Sequence, residues 1–138
     1  MVGFPQTLPV IRRKVTQEAI ATYAEASGDF NPIHVDEVFG QATPFGGTIA
    51  HGMWVLGAIT EMLAKGLGRG WLEAGSLRVR FKAPARPGDV IVTSGALKSA
   101  NMDALDGRVE YTVRCVNQDD DELITGTAGM PVAGPSAG

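Results

Sequence analysis

The second half of this chain alternates apolar and polar residues with a period of two, and this pattern limits the possible folds more than any other feature. In its first segment three apolar residues alternate with three basic ones, namely Leu77, Val79 and Phe81 with Arg78, Arg80 and Lys82. Such alternation is typical of a strand with one face in solvent. Further strands are predicted at residues 90–99, 108–117 and 122–132, and the short connections between them favour antiparallel pairing.

The first half of the chain favours helices. Thr16 is a suitable N-cap for a helix that ends near Gly28, and a short helix is predicted to begin around Asp36. A longer helix is predicted from Ala50 to Lys65, ending at Gly66. Its apolar residues lie on nearly every side, which is typical of a helix buried all round. One buried helix and four or five long antiparallel strands predict an α+β fold in which a sheet wraps around the helix.

The length of 138 residues suits one domain with one core. We assign residues 1–132 to that domain and expect the small residues at 133–138 to form a frayed tail. A net charge of −3 argues against a nucleic-acid partner, and no apolar run approaches the ~20 residues that span a membrane. The amino terminus does not have the pattern of a signal peptide. Cys115, the only cysteine, is interpreted as a buried apolar residue. A soluble, cytoplasmic protein is predicted.

The segment at residues 28–34, Gly-Asp-Phe-Asn-Pro-Ile-His, contains one of only two histidines. A carboxylate and an imidazole that both reach one water molecule can orient it and move its protons, which makes Asp29 and His34 a candidate catalytic pair. Asn31 lies between them and offers an amide that can hold a side chain or the water. Pro32 restricts the backbone of the turn.

Two alternatives remain open on spacing alone. Asn31 also suits the cap of a short helix with Pro32 at its first position, which would leave His34 in solvent. Asp29, His34 and His51 are also possible zinc ligands, but their spacing is not typical of a metal site and no cysteine pair accompanies them. We predict that no metal binds.

The second histidine, His51, belongs to a glycine-rich segment at the start of the long helix. Gly52 is predicted to lie in the first helical turn, where backbone N–H groups lack partners and the helix dipole favours negative charge. An acyl carbonyl or enolate oxygen placed there would be stabilised. The alternative is that Gly46, Gly47 and Gly52 only shape a tight loop.

Read together, these segments resemble the MaoC-like, or (R)-specific enoyl-CoA hydratase, family of hot-dog proteins. The resemblance rests on residues 23–34, on Ile-Ala-His-Gly-Met at 49–53, and on Val-Arg-Phe-Lys-Ala-Pro at 79–84 followed by Arg-Pro-Gly-Asp at 86–89. The segments occur in the expected order within roughly residues 10–132. The resemblance implies a hot-dog fold, an antiparallel sheet wrapped around a long central helix.

The resemblance also implies an activity, the reversible hydration of a trans-2-enoyl thioester to an (R)-3-hydroxyacyl thioester. Asp29 and His34 would share the water as general base and general acid, and Asn31 would orient the pair. The N–H of Gly52 would polarise the thioester carbonyl. No metal or redox cofactor is implied, and the thioester carrier would be coenzyme A or acyl carrier protein.

Four further residues are expected to bind substrate. Thr60, two turns along the helix, is a candidate for lining the acyl pocket, and His51 is placed with the substrate without a defined role for its side chain. Phe39, Phe45 and Trp54 are bulky, which indicates a short or medium acyl chain. The resemblance implies at least a homodimer with the thioester at the subunit boundary. The basic residues of the strand and turn after the helix are candidates for phosphate contacts or for a solvated strand face, namely Arg78, Arg80, Lys82 and Arg86.

Two other functions remain open. The first is a 3-hydroxyacyl-carrier-protein dehydratase subunit of fatty acid synthesis, which runs the same chemistry toward loss of water. The second is a non-catalytic module that binds acyl thioesters. Simple binding does not require the set Asp29, Asn31, His34 and Gly52, and this favours an enzyme.

Overall fold

One antiparallel sheet forms the base of the fold in the computed structural model, which describes residues 3–102 and 106–132. Its strands are β1 (Arg12–Lys14), β2 (Ser76–Phe81), β3 (Val90–Ala100), β4 (Arg108–Val116) and β5 (Glu122–Pro131). They lie side by side in the order β1-β3-β4-β5-β2. The helices are α1 (Gln17–Ser27), α2 (Pro32–Val35), α3 (Glu37–Gln41), α4 (Gly52–Leu67) and α5 (Arg69–Ala74).

Helix α4 is the long helix of the prediction, and it packs against β3 and β4. Its buried residues share one face and join the core of the sheet, namely Val55, Ala58, Ile59, Met62 and Leu63. The expected burial on all sides is wrong, because Met53 is 60% exposed. A single sheet covers only one side of a helix, so the opposite side of α4 stays open in this chain.

The strands of the second half follow the predicted alternation. In β4 the four alternate residues Val109, Tyr111, Val113 and Cys115 are fully buried, and the residues between them face away from the core. Burial raises the pKa of the Cys115 thiol to about 11. The interpretation of Cys115 as a buried apolar residue is therefore confirmed.

The order of the strands differs from the one that short connections suggest. Strands β2 and β3 run in opposite directions as predicted, but β4 and β5 lie between them, because β2 pairs with β5 at one edge of the sheet. Residues 83–89 therefore connect β2 to β3 across the sheet, past β5 and β4. Strand β1 and helix α5 were not predicted: β1 has only three residues, and α5 lies in a glycine-rich stretch that is typical of a loop.

The predicted helix ends are confirmed near the first histidine. The Thr16 hydroxyl accepts a hydrogen bond from the Ala19 N–H at 3.0 Å, and Gly28 ends α1 with a φ of 76°. The long helix ends later than predicted. Gly66 lies inside α4, where a side chain would come within 2.7 Å of Leu8, and Gly68 ends the helix instead.

Two predictions fall outside or partly outside the described residues. The hairpin connection expected at residues 101–107, between the strands predicted at 90–99 and 108–117, is described only in part, and the predicted tail at 133–138 lies outside the described residues. Within residues 3–102 and 106–132, none of the helices is long and apolar enough to cross a membrane.

Candidate active site

The turn that holds the predicted catalytic pair is organised by Asn31. Its side-chain oxygen accepts a hydrogen bond from the Ile33 N–H at 3.1 Å and caps α2, with Pro32 at the first helical position. The Asn31 N–H in turn donates to Oδ1 of Asp29 at 3.2 Å. The cap interpretation is therefore confirmed. The side-chain oxygen of Asn31 positions Asp29 and His34 indirectly, because it fixes the backbone of the turn that carries them.

His34 lies one turn after this cap and is not in solvent, since its side chain is only 12% exposed. Its Nδ1 lies 2.8 Å from the carbonyl oxygen of Ile49. Because a carbonyl oxygen only accepts hydrogen bonds, Nδ1 carries the proton of the neutral ring and Nε2 carries the lone pair. The solvated alternative for His34 is thus wrong.

The Nε2 atom of His34 faces the carboxylate of Asp29. The distance from Nε2 to Oδ2 is 3.9 Å, which is too long for a direct hydrogen bond. It is short enough for one water molecule to contact both atoms at ordinary hydrogen-bond distances. The Asp29 side chain is 53% exposed, so solvent reaches this position.

His34 also lines a largely apolar cavity of about 340 Å³. The other lining residues come from the loop before α4, the start of α4, and the strands β2 and β5 with the segment after β2, namely Phe45, Ile49, Ala50, Gly52, Val55, Phe81, Lys82, Ala83, Pro84, Ala85 and Ile124. The cavity therefore joins the imidazole to the amino end of the long helix.

Gly52 is the first residue of α4 and lies at the wall of this cavity. Among the described residues, its N–H has no hydrogen-bond acceptor. The partial positive charge of a helix amino end is directed at the same space. A carbonyl oxygen that enters the cavity can therefore be polarised at Gly52.

Residues 5–119 match the sequence model of the MaoC like domain, which covers most of the chain. The chain belongs to this family. A solved (R)-hydratase from A. caviae involved in PHA biosynthesis superposes on the MaoC-like chain with a TM-score of 0.79 and 25% identity, over 94% of this chain and 96% of that one. The hot-dog fold implied by the sequence is confirmed.

Curated relatives are similar over part of their length. A 3-hydroxybutyryl-CoA dehydratase from Methylorubrum extorquens is 35% identical over 82 residues, which are 59% of this chain and 52% of the relative. A 3-hydroxyacyl-thioester dehydratase Z from Mycobacterium tuberculosis is 35% identical over 104 residues, 72% of this chain and 68% of that protein. The MaoC-like chain thus matches about half to two thirds of the length of these relatives.

Three of the residues predicted to bind substrate lie away from this cavity in the MaoC-like chain. His51 is only 2% exposed and is directed at the backbone of Asp29, with its Nε2 at 2.9 Å from the Asp29 carbonyl oxygen. The Thr60 hydroxyl donates to the Gly57 carbonyl at 2.9 Å, and Trp54 lines a separate depression beside Tyr23. Of the four, only Phe45 lines the cavity with His34.

The geometry of the two imidazoles does not suit a metal ion. The ligand atoms of Asp29, His34 and His51 lie within 4.8 Å of one another. However, the two rings are stacked, with centroids 3.9 Å apart and planes at 25°. A zinc–nitrogen bond of ~2.0–2.1 Å lies in the plane of its imidazole, and two nearly parallel planes at this separation cannot direct both lone pairs to one ion.

A hydrogen-bond network that the sequence did not indicate holds helix α2 in place. The Thr48 hydroxyl is buried and lies 2.7 Å from Oε1 of Gln17 and 3.2 Å from Oε2 of Glu37. The side-chain amide of Gln17 donates to the carbonyl of His34 at 2.8 Å. Since these residues are up to 31 positions apart, no local pattern could have linked them.

The basic residues after the helix divide into paired and free ones. Lys82 forms an ion pair at 2.8 Å with a carboxylate at the start of β5, and the guanidinium of Arg86 donates to the carbonyl of Phe45. Arg78 and Arg80 face solvent on β2. The solvated-face interpretation therefore describes the two arginines of the strand, while Arg86 holds the loop that carries Phe45.

Proposed function

We propose that this MaoC-like chain catalyses the reversible, (R)-specific hydration of trans-2-enoyl-CoA to (R)-3-hydroxyacyl-CoA. The observation that carries the proposal is the 3.9 Å separation of Asp29 Oδ2 and His34 Nε2 beside a cavity that ends at Gly52. A water molecule held between Asp29 and His34 would lie next to the bound substrate when the thioester carbonyl of that substrate contacts the amino end of α4.

The proposed reaction uses three parts of the site. The thioester carbonyl accepts a hydrogen bond from the Gly52 N–H, which stabilises the enolate-like charge as the nucleophile adds. Asp29 and His34 act as general base and general acid: between them they take a proton from the water as its oxygen adds to Cβ and supply a proton to Cα. The reverse sequence eliminates water.

The names of the relatives support a thioester substrate. One is a 3-hydroxybutyryl-CoA dehydratase, and an (R)-specific enoyl-CoA hydratase from Rhodospirillum rubrum is 35% identical over 85 residues, 58% of its length. These names describe two directions of one reaction. They favour an enzyme over a binding module and coenzyme A as the carrier.

Three further features belong to the proposal. We propose that the reaction needs no metal, since the stacked rings of His34 and His51 do not suit an ion, and no redox cofactor, since the addition of water involves no net oxidation or reduction. We propose a homodimer, because β2 is an edge strand whose terminal Phe81 is exposed beside the cavity. A cytoplasmic location is consistent with the unpaired, buried Cys115.

The test is the loss of ultraviolet absorbance of crotonyl-CoA and longer enoyl-CoA substrates, with chiral analysis of the 3-hydroxyacyl product. Asp29→Asn and His34→Gln are each expected to lower kcat by ~10²-fold or more, as removal of a general acid or base does. Glu25→Gln, the same type of change on the exposed face of α1, is the control and should keep full activity. Full activity in both site variants would refute the mechanism.

The carrier is tested with the same enoyl chains on acyl carrier protein. If kcat/KM with enoyl-acyl-carrier-protein substrates equals or exceeds kcat/KM with enoyl-CoA, the carrier is acyl carrier protein and not coenzyme A. That result would favour the dehydratase alternative. Binding of the thioester without any turnover by the wild type would favour the non-catalytic module.

A further inference from the structure

We infer that His51 is a positioning residue that holds both members of the proposed catalytic pair without touching the substrate. The inference rests on the proposed function. It starts from the position of the ring, which lies in the core between the site and α1 and is 2% exposed.

The first contact of His51 is with the backbone of Asp29. Its Nε2 lies 2.9 Å from the Asp29 carbonyl oxygen. Because that oxygen only accepts, Nε2 must carry the proton of the neutral ring. The bond fixes the peptide from which the exposed Asp29 side chain projects.

The second contact is with the ring of His34. The two imidazoles are stacked with centroids 3.9 Å apart, and the ring of Tyr23 lies on His51 at 4.8 Å. His51 therefore supports one face of His34, while the carbonyl of Ile49 holds its Nδ1. The two restraints leave Nε2 of His34 directed at Asp29.

The third observation concerns the helix end. His51 is the N-cap residue of α4, but its side chain makes no cap hydrogen bond. A serine or aspartate at this position normally occupies an N–H of the first turn. With His51 turned toward Asp29, its side chain leaves the first-turn N–H groups at Gly52 open to a substrate oxygen.

The remaining ring nitrogen also indicates a fixed, inward role. Nδ1 of His51 is buried and has no hydrogen-bond partner in the described part of the chain. A residue that bound substrate would lie at the cavity wall, and His51 does not line the cavity. His51 therefore acts through its Nε2–H, which donates to the Asp29 carbonyl, and through its ring face, which stacks on His34.

Two variants separate these properties. His51→Phe keeps a flat ring against His34 and loses the donor to Asp29, whereas His51→Gln keeps a donor and loses the ring. Each is expected to lower kcat by ~10- to 100-fold, because small displacements of reacting groups have effects of this size. KM should change by less than about threefold, as expected when the lost interaction acts on the transition state.

Thr93→Val is the matched control for the loss of a buried hydrogen bond. Thr93 is fully buried in β3, a strand that does not line the cavity, and its hydroxyl accepts from the Ile11 N–H at 3.0 Å. This variant should lower the melting temperature but leave kcat unchanged. If the His51 variants behave like Thr93→Val, with reduced stability and full kcat, His51 is only structural and the inference is wrong.

A second measurement does not depend on activity. The chain has two histidines, so ¹⁵N-labelled histidine gives only two imidazoles in an NMR spectrum. Two opposite neutral tautomers are expected, with the proton on Nδ1 of His34 and on Nε2 of His51, and either single variant assigns them. A Nδ1–H tautomer for His51 would overturn the inference. A wild type with the expected tautomers but no hydratase activity would refute the proposed function alone.

Discussion

Replacement of Gly52 by alanine tests whether the amino end of α4 is a binding surface or only part of a tight loop. An added Cβ at Gly52 would lie 3.1 Å and 3.3 Å from two carbon atoms of the Phe81 ring. These distances are a few tenths of an ångström shorter than ordinary contacts. The Phe81 ring is 52% exposed and lies at the end of a side chain, so it can move away at little cost in stability.

The substitution is expected to leave stability almost unchanged and to lower activity. Alanine is favoured over glycine inside a helix by about 0.5–1 kcal/mol, and at the first position of α4 this gain roughly offsets the movement of Phe81. The melting temperature should therefore stay close to that of the wild type. The methyl group would occupy the space in which a substrate oxygen must approach the Gly52 N–H, and kcat/KM is expected to fall by about 10- to 100-fold.

The control is Gly57→Ala on the same helix, where an added Cβ meets nothing within 4 Å. It should raise the melting temperature by about 2–5 °C, the shift that 0.5–1 kcal/mol produces in a domain of this size, and leave kcat/KM unchanged. Both variants are compared by calorimetry and with crotonyl-CoA hydration. A Gly52→Ala variant with wild-type kcat/KM would show that no group approaches this position, and the loop interpretation would stand.

Two further predictions concern the cavity and the core. Phe45→Ala removes a ring from the cavity wall and should raise kcat/KM for longer enoyl chains relative to crotonyl-CoA by about tenfold per accommodated methylene; an unchanged chain-length profile would contradict this. Burial raises the pKa of Cys115 from its ordinary value of 9.0 to about 11, so stability that is present below pH 9 should be lost as pH rises toward 11, by about 2–3 kcal/mol. Urea unfolding of Cys115→Ala should lack this part of the pH dependence, and identical slopes in both proteins would refute it.

Local rules account for the parts of the fold that local contacts determine. The N-cap at Thr16, the end of α1 at Gly28 and the alternation in β4 were all predictable, because each depends on residues a few positions apart. The strand order was not predictable, because β2 pairs with β5 some 50 residues away and the residues near β2 do not indicate which strand it pairs with. Gly66 was misleading, since it serves close packing against Leu8 inside the helix and not a helix end.

The site shows the same division between local and distant determinants. The turn that presents Asp29 and His34 follows from Asn31 and Pro32, which act on their immediate neighbours. The stacking of His51 on His34 joins two segments that are separated by the loop and α3. Sequence reasoning placed His51 with the substrate, because a histidine in a glycine-rich turn is typical of a functional site and its burial cannot be inferred from its neighbours.

The two histidines are therefore opposite tautomers, because each ring carries its proton on the nitrogen that faces a backbone carbonyl. His34 donates through Nδ1 to Ile49 and keeps Nε2 free, while His51 donates through Nε2 to Asp29 and keeps Nδ1 buried. Both restraints come from backbone oxygens, which always accept. The backbone of residues 29 and 49 thus determines which imidazole can exchange a proton at Nε2 with a water molecule beside Asp29, and only His34 meets that requirement.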